Sequence, residues 1–448
     1  MAPRVINGPC SSRIAGSALC LLSSMGLGGC NDKGPALAHV APAGQDSAEF
    51  EQPDLGAAND PQRRIGALVD LSPIYVAAHK KAAVLGYLHA GETVARSEQA
   101  HENDQCTRGW YAVAPHGYVC TEQAATTDLN HPTLRAMGLL AQRNRPLPYT
   151  YAKTSQITSL YARGPNNSVK PEGRLGKGTV LAVVGSWTAP DESQEPQRLG
   201  LLTDGHFVRA DDLRPLQASV FSGLQLNEQQ SLPLGYVVRR GVSRWKLSAD
   251  QAEKLDQLEY HERLALTGRF RTVQGERFWA ITDESWVRHR DVTVIRDRHE
   301  LPDFVRDGQK WIDISVITGI AVAYEGKKPV FATLVSVGRD RTGDPQQTAS
   351  TARGTFRVVG KYLTRRSSVG PDAPARDIPW ALELDNGQWL QAAPHHDRFG
   401  IEHTEGSIEV SPEDGKYLFN WSSPSLPADW HGVVVDPAEV TTIVEVRK

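Results

Sequence analysis

Cysteine is scarce in this chain, with five in 448 residues, and Cys10, Cys20 and Cys30 all precede Asn31. A framework of many disulfides is thereby excluded, and the remaining pair, Cys106 and Cys120, is too small a ligand set for a metal. Charge of one sign is missing too: 49 Lys plus Arg face 52 Asp plus Glu, without a run of like charge. Nucleic-acid binding needs a concentrated cationic face, so it is not expected. Apolar runs stay short of the roughly 20 residues that span a bilayer. What the chain does have is length, enough for three or four domains. Its 39 Gly and 28 Pro alternate with Val/Ile/Tyr/Trp-rich stretches, a pattern of short strands and turns.

Residues 1–29 have the pattern of an export signal. Arg4 and Arg13 precede a small, apolar stretch from Ile14 to Leu27, and Leu27-Gly28-Gly29-Cys30 resembles a bacterial lipobox. That resemblance implies lipidation of Cys30 and a membrane-anchored lipoprotein in the cell envelope, facing the periplasm. Residues 30–64, poor in large apolar side chains, are expected to be a flexible tether reaching on the order of 30 Å. In an exported protein Cys106 and Cys120, flanking GWYAVAPHGYV, are expected to form a disulfide, with two free thiols as the alternative.

Three β-rich segments follow, at 65–130, 147–215 and 220–300. The first carries Gly109-Trp110-Tyr111 and Gly117-Tyr118-Val119, and so resembles bacterial SH3-like barrels. The second and third share an aromatic-Val-Arg triplet followed three residues later by Asp and an aliphatic. These are Phe207-Val208-Arg209 with Asp212-Leu213, and Trp286-Val287-Arg288 with Asp291-Val292. In the third segment Ser248 and Gln251 form a capping-box pattern, predicting a helix from Ala249 to Leu258. Pro-containing joints at Arg145-Pro146-Leu147-Pro148, Arg214-Pro215, Leu232-Pro233 and Leu301-Pro302 stiffen the connections.

The last segment, 310–448, holds the most specific motifs. His396-Asp397-Arg398-Phe399-Gly400, the run SPEDGKYLFNW from Ser411 to Trp421, Leu426 to Val433 and Asp377-Ile378-Pro379-Trp380 occur in the order found in L,D-transpeptidases (YkuD-like). The segment therefore resembles that family, which cross-links peptidoglycan through a cysteine. The fold expected is mainly β: tandem small SH3-like barrels, then an L,D-transpeptidase-like β-rich domain. Its short helix would be capped by Ser411, with Pro412 first and Leu418, Phe419 and Trp421 buried.

Where the family has its SHGC motif, this chain has Thr404-Glu405-Gly406-Ser407, and Gln391 takes the LHG histidine position. The degenerate catalytic positions are therefore Ser407, Glu405 and Gln391, with Gly406, Thr404, His396 and Arg398 as candidate binding residues. A thiol with a pKa near about 8.5 is easily ionised beside a histidine, whereas a hydroxyl needs a positioned base. If 403–409 is extended, His403 lies roughly 13 Å from Ser407, beyond hydrogen-bond reach. Gly406 would let the backbone bend, leaving its neighbours' N–H groups as an oxyanion hole. His395, His396, Asp397, His403 and Glu405 are metal-ligand types, but adjacent 395 and 396 should point apart, so neither metal nor cofactor is expected. Glu402, Glu405 and Glu409 would make the groove more acidic, with Arg398 and Arg376 as compensation.

The reading that results is an envelope lipoprotein whose transpeptidase-like domain has lost catalysis. It would bind peptidoglycan stem peptides or envelope proteins. The alternative is an acyltransferase or L,D-transpeptidase using Ser407 in peptidoglycan cross-linking. A third reading makes the SH3-like array the functional part.

Overall fold

The computed structural model describes residues 60–448 except 138–140, 165–167, 190–196, 341 and 368–373. Cys30, the export signal and most of the tether lie outside the described residues. Strands dominate, and the two α-helices described are short, Pro132–Ala136 and Pro412–Trp421. No helix among the described residues is long and apolar enough to cross a membrane.

The C-terminal domain is built on the strand Lys310–Ser315, which pairs antiparallel with Ile320–Glu325 and parallel with Ile443–Arg447. Paired on both sides, Trp311 to Ser315 are all buried, the polar Asp313 and Ser315 included, and Arg298 and Arg447 pair with the Asp313 carboxylate. The 13-residue strand Gly354–Arg366 joins two sheets. Its first half pairs with Ile443–Arg447, and its second half with Asp377–Leu384. Asp377–Leu384 leads to Trp389–Ala392, which lies parallel to Ile408–Val410. Leu418 and Phe419 of the longer helix are buried against this layer. Ser411 caps that helix, its side chain accepting from the Asp414 N–H. Trp421, expected inside, is only partly buried and donates to Glu325 at the surface.

The first segment packs two small sheets, one ordered 93–95, 64–67, 125–126 and one containing 84–88, 72–75, 118–120, 106–112 and 101–103. The Cys106–Cys120 disulfide ties the last hairpin. Strand 84–88 continues into the C-terminal domain, because Gly86 and Tyr87 pair with Val433 and Gly432. Trp430 belongs to the first segment's core and donates to the Ala114 carbonyl. The motif around Trp430 thus docks the two parts.

In the second segment, Asp377 of the C-terminal domain accepts from the Ala182 N–H and the Thr203 hydroxyl. Trp380 Nε1 donates to the Pro146 carbonyl. The two aromatic-Val-Arg repeats take one local form: strand 207–209, 3₁₀ turn 210–212 and strand 213–215 in one, and 286–288, 289–291 and 292–295 in the other.

The expected helix at Ala249–Leu258 is absent. Val242–Leu247 and Ala252–Leu258 form an antiparallel hairpin instead. Ser248 and Gln251 do exchange local hydrogen bonds, but these close the hairpin turn. Residues 253–257 are exposed on an outer strand, where pairing with Val242–Leu247 overrides their helix propensity.

Candidate functional site

The parallel pairing of Trp389–Ala392 with Ile408–Val410 sets Gln391 opposite Glu409. Gln391 Nε2 donates to Glu409 Oε1 at 3.0 Å, and Arg365 Nε donates to Gln391 Oε1 at 2.7 Å. His396 contacts Glu409 Oε2 through Nε2 at 2.8 Å, and the Ser407 hydroxyl donates to Glu409 Oε1 at 3.3 Å. A buried carboxylate therefore occupies the centre of the site. Burial by itself raises its pKa, but the His396 bond, the charges of His395 and His396, and the Gln391 bond bring it down to about 2. Arg365 is pushed down to about 10 by burial.

The segment 403–409 is not one extended strand. Glu402–Thr404 pairs with Val337-Gly338, whereas Ile408–Val410 pairs with Trp389–Ala392. Between them Gly406 has φ +115°, a left-handed conformation that favours glycine. The chain therefore turns here, and Glu405 and Glu409 do not share a face. Glu405 is exposed and pairs with Arg339 at 2.5 Å, while Glu409 is buried. Thr404 ties the turn, its hydroxyl donating to the Ser407 carbonyl at 2.6 Å and accepting the Gly406 N–H at 3.2 Å. That N–H is spent inside the turn.

Of the three glutamates expected to make the groove acidic, Glu409 is buried among Gln391, His396 and Ser407, and Glu405 pairs with Arg339 at the surface. Arg376 does not face the groove, because it pairs with Asp204 of the second segment. Arg398 contributes its backbone, with N–H to His396 Nδ1 and carbonyl to Ser336.

His395 and His396 do not point apart as neighbours on a strand would. Both approach Glu409 Oε2, at 4.0 and 2.8 Å, and the three could be gathered around an ion. The tautomer argues otherwise. His396 Nδ1 accepts the Arg398 N–H at 3.0 Å, so the proton of the neutral ring is on Nε2 and is donated to Glu409. That nitrogen has no lone pair for a metal. His395 is pushed down to about 4 by burial, and His403 stacks edge-on with His396 at 4.5 Å.

The order of groups decides the chemistry. In a serine triad an imidazole stands between hydroxyl and carboxylate. Here the carboxylate stands between Ser407 and His396, and among the described residues Ser407 Oγ bonds to no imidazole. A carboxylate with pKa about 2 is a very weak base for an alcohol. Sequence reasoning took Glu409 only as one of three acidic groove residues and missed Arg365, because their roles arise from a parallel register and a neighbouring strand. It also missed the mounting of the His396 loop on the third segment. Arg240 pairs with Asp397 at 3.1 Å, and the Tyr260 hydroxyl donates to the Asp397 carbonyl at 3.3 Å. A cavity of about 820 Å³ lies between Tyr260 and Glu262 on one side and His395 and His396 on the other.

No curated protein matches the chain. Solved structures similar to part of it include L,D-transpeptidases from three organisms. The Stackebrandtia nassauensis enzyme has 16% identity over 34% of this chain and 62% of its own, with TM-score 0.23. The Xylanimonas cellulosilytica enzyme has 19% identity over 33% and 64%, with TM-score 0.23. The Mycobacterium smegmatis enzyme has 12% identity over 39% and 77%, with TM-score 0.24. In the first two cases the chain covers less than two thirds of the matched protein. The L,D-transpeptidase catalytic domain family, YkuD, matches residues 309–446. With the motifs and β-rich architecture above, the chain carries a YkuD-type L,D-transpeptidase catalytic domain over those residues.

Proposed function

We propose that this protein is a lipid-anchored envelope protein whose L,D-transpeptidase domain binds peptidoglycan stem peptides or an envelope partner without performing acyl transfer. The domain family supports a peptidoglycan-related role. The observation that carries the loss of catalysis is the Ser407 hydroxyl donating to Glu409, where a cysteine thiolate and an imidazole would be needed. Anchoring through Cys30 and the SH3-like character of the three small segments belong to the same reading.

Two experiments on one preparation test it. An acylating carbapenem should leave the intact mass unchanged, and purified sacculi should retain the protein. A protein that is neither acylated nor retained would remove the binding half of the reading. Retention unchanged after deletion of 310–448 would move binding to the small segments.

The Ser407-based acyltransferase is the second reading, motivated by a hydroxyl standing where the resembling motif has its cysteine. It requires a carbapenem adduct that disappears in Ser407→Ala.

A further inference from the structure

Between the third small segment and the C-terminal domain lies a cleft of about 500 Å³ whose walls carry Arg239, Arg277, Arg290 and Arg296 but no acidic side chain. Arg290 pairs with Glu276 at 2.8 Å. Arg239, Arg277 and Arg296 have no carboxylate partner among the described residues. The chain as a whole is slightly acidic, at −3, so this gathering is not the by-product of a basic protein. Like charges held together repel, and a bound anion relieves that cost.

Two of the three guanidiniums are held by aromatic rings. Arg296 lies over Trp279 at 4.6 Å from the ring centre, and Arg277 over Phe270 at 5.0 Å. Stacking fixes the plane and leaves the N–H edge free to grip an oxyanion in two-pronged fashion. Trp279 is fixed in turn, donating through Nε1 to His289 Nδ1 at 2.7 Å. The proton of that neutral imidazole is therefore on Nε2, which adds a donor to the lining. Burial, then the charges of Arg277 and Arg296, hold the His289 pKa down, in keeping with a locally positive field.

The geometry points to a binding site for a multivalent oxyanion, carrying at least two carboxylate or phosphate groups, gripped by Arg239, Arg277 and Arg296. The far wall includes Gly400 and Ile401, which follow the His396 loop. The anion would sit beside the Ser407 site without touching it, so the inference stands whether or not that site is catalytic.

Calorimetric titration of the whole protein at low ionic strength tests this, with tricarballylate and inorganic triphosphate as probes. Saturable binding of at least one is expected, and the tighter probe identifies carboxylate or phosphate as the preferred source. The R277Q/R296Q variant should bind at least ~tenfold more weakly. R239Q, at an exposed position, should also bind more weakly and decides the matter if the double variant loses its near-UV circular dichroism. R174Q/R198Q, a charge-matched change in the second segment, should bind as the parent does. Absence of saturable binding for both probes, or an equal loss in R174Q/R198Q, overturns the proposal.

Discussion

At the scale of single residues, Glu409 organises the site, bonding Gln391, His396 and Ser407. Its folded pKa of about 2 lies below its ordinary 4.5. It therefore stabilises the fold fully above about pH 4.5, and that contribution is lost as pH falls toward 2. Glu409→Gln should lower stability at pH 7 by about 1–3 kcal/mol and flatten the acid limb between those values. Denaturant melts from pH 2 to 7 measure both, and an unchanged limb would assign the acid sensitivity elsewhere. Ser407→Ala removes one 3.3 Å hydrogen bond and should cost no more than about 1 kcal/mol. Ser407, Glu405 and Gln391 drew attention in the sequence because the motifs around them are recognisable. The central place of Glu409 was not legible there, since nothing in a linear chain announces that residues 391 and 409 are register partners.

Among the elements, the start of the helix Pro412–Trp421 was readable through Ser411, Pro412 and its acidic first turn. The burial of Asp414 in that first turn was not. Asp414 accepts from the Gly223 N–H at 2.7 Å and bonds Thr333, and burial pushes its pKa up to about 7. A carboxyl whose folded pKa is raised binds its proton more tightly when folded. Stability therefore falls as pH rises from about 3.8 to 7. Asp414→Asn keeps an acceptor for Gly223 and should stabilise the protein at pH 8, by of order 1 kcal/mol, relative to its effect at pH 5. Thermal melts at the two pH values check the sign; equal effects would show that Asp414 stays ionised throughout.

The hairpin at 242–258 shows where local signals fail. Ser248 and Gln251 make the hydrogen bonds their spacing predicts, and Ala252, Glu253, Lys254 and Leu255 are good helix formers. Yet the partner strand decides the outcome, because Trp245 and Lys254 pair in register. Tertiary pairing outweighs propensities of a few tenths of a kcal/mol per residue, roughly.

For the whole molecule, the small segments are coupled to the transpeptidase domain rather than strung before it. Gly86 is a narrow point of that coupling: a Cβ there would meet the Gly432 carbonyl at 2.3 Å and the Trp430 ring at 2.5 Å. Gly86→Ala should open the joint between strands 84–88 and 432–434 and cost about 1–3 kcal/mol. Faster limited proteolysis between the first and second segments is the expected readout, and parental kinetics would show that the joint relaxes without cost. Three segments and a C-terminal domain were expected from turns, prolines and motifs, but their docking was not. Asp377, Trp380 and Trp430 read as parts of one domain's motifs, yet Asp377 and Trp380 reach the second segment and the Pro146 joint before it, and Trp430 reaches the first.

The central claim is that this groove lacks an attacking atom competent for acyl transfer at neutral pH. Intact-mass measurement after incubation with an acylating carbapenem tests it most directly. The mass of the unmodified protein is predicted to persist, in the parent and in Ser407→Ala alike. A stable adduct on the parent, mapped to Ser407 and missing from Ser407→Ala, would contradict it.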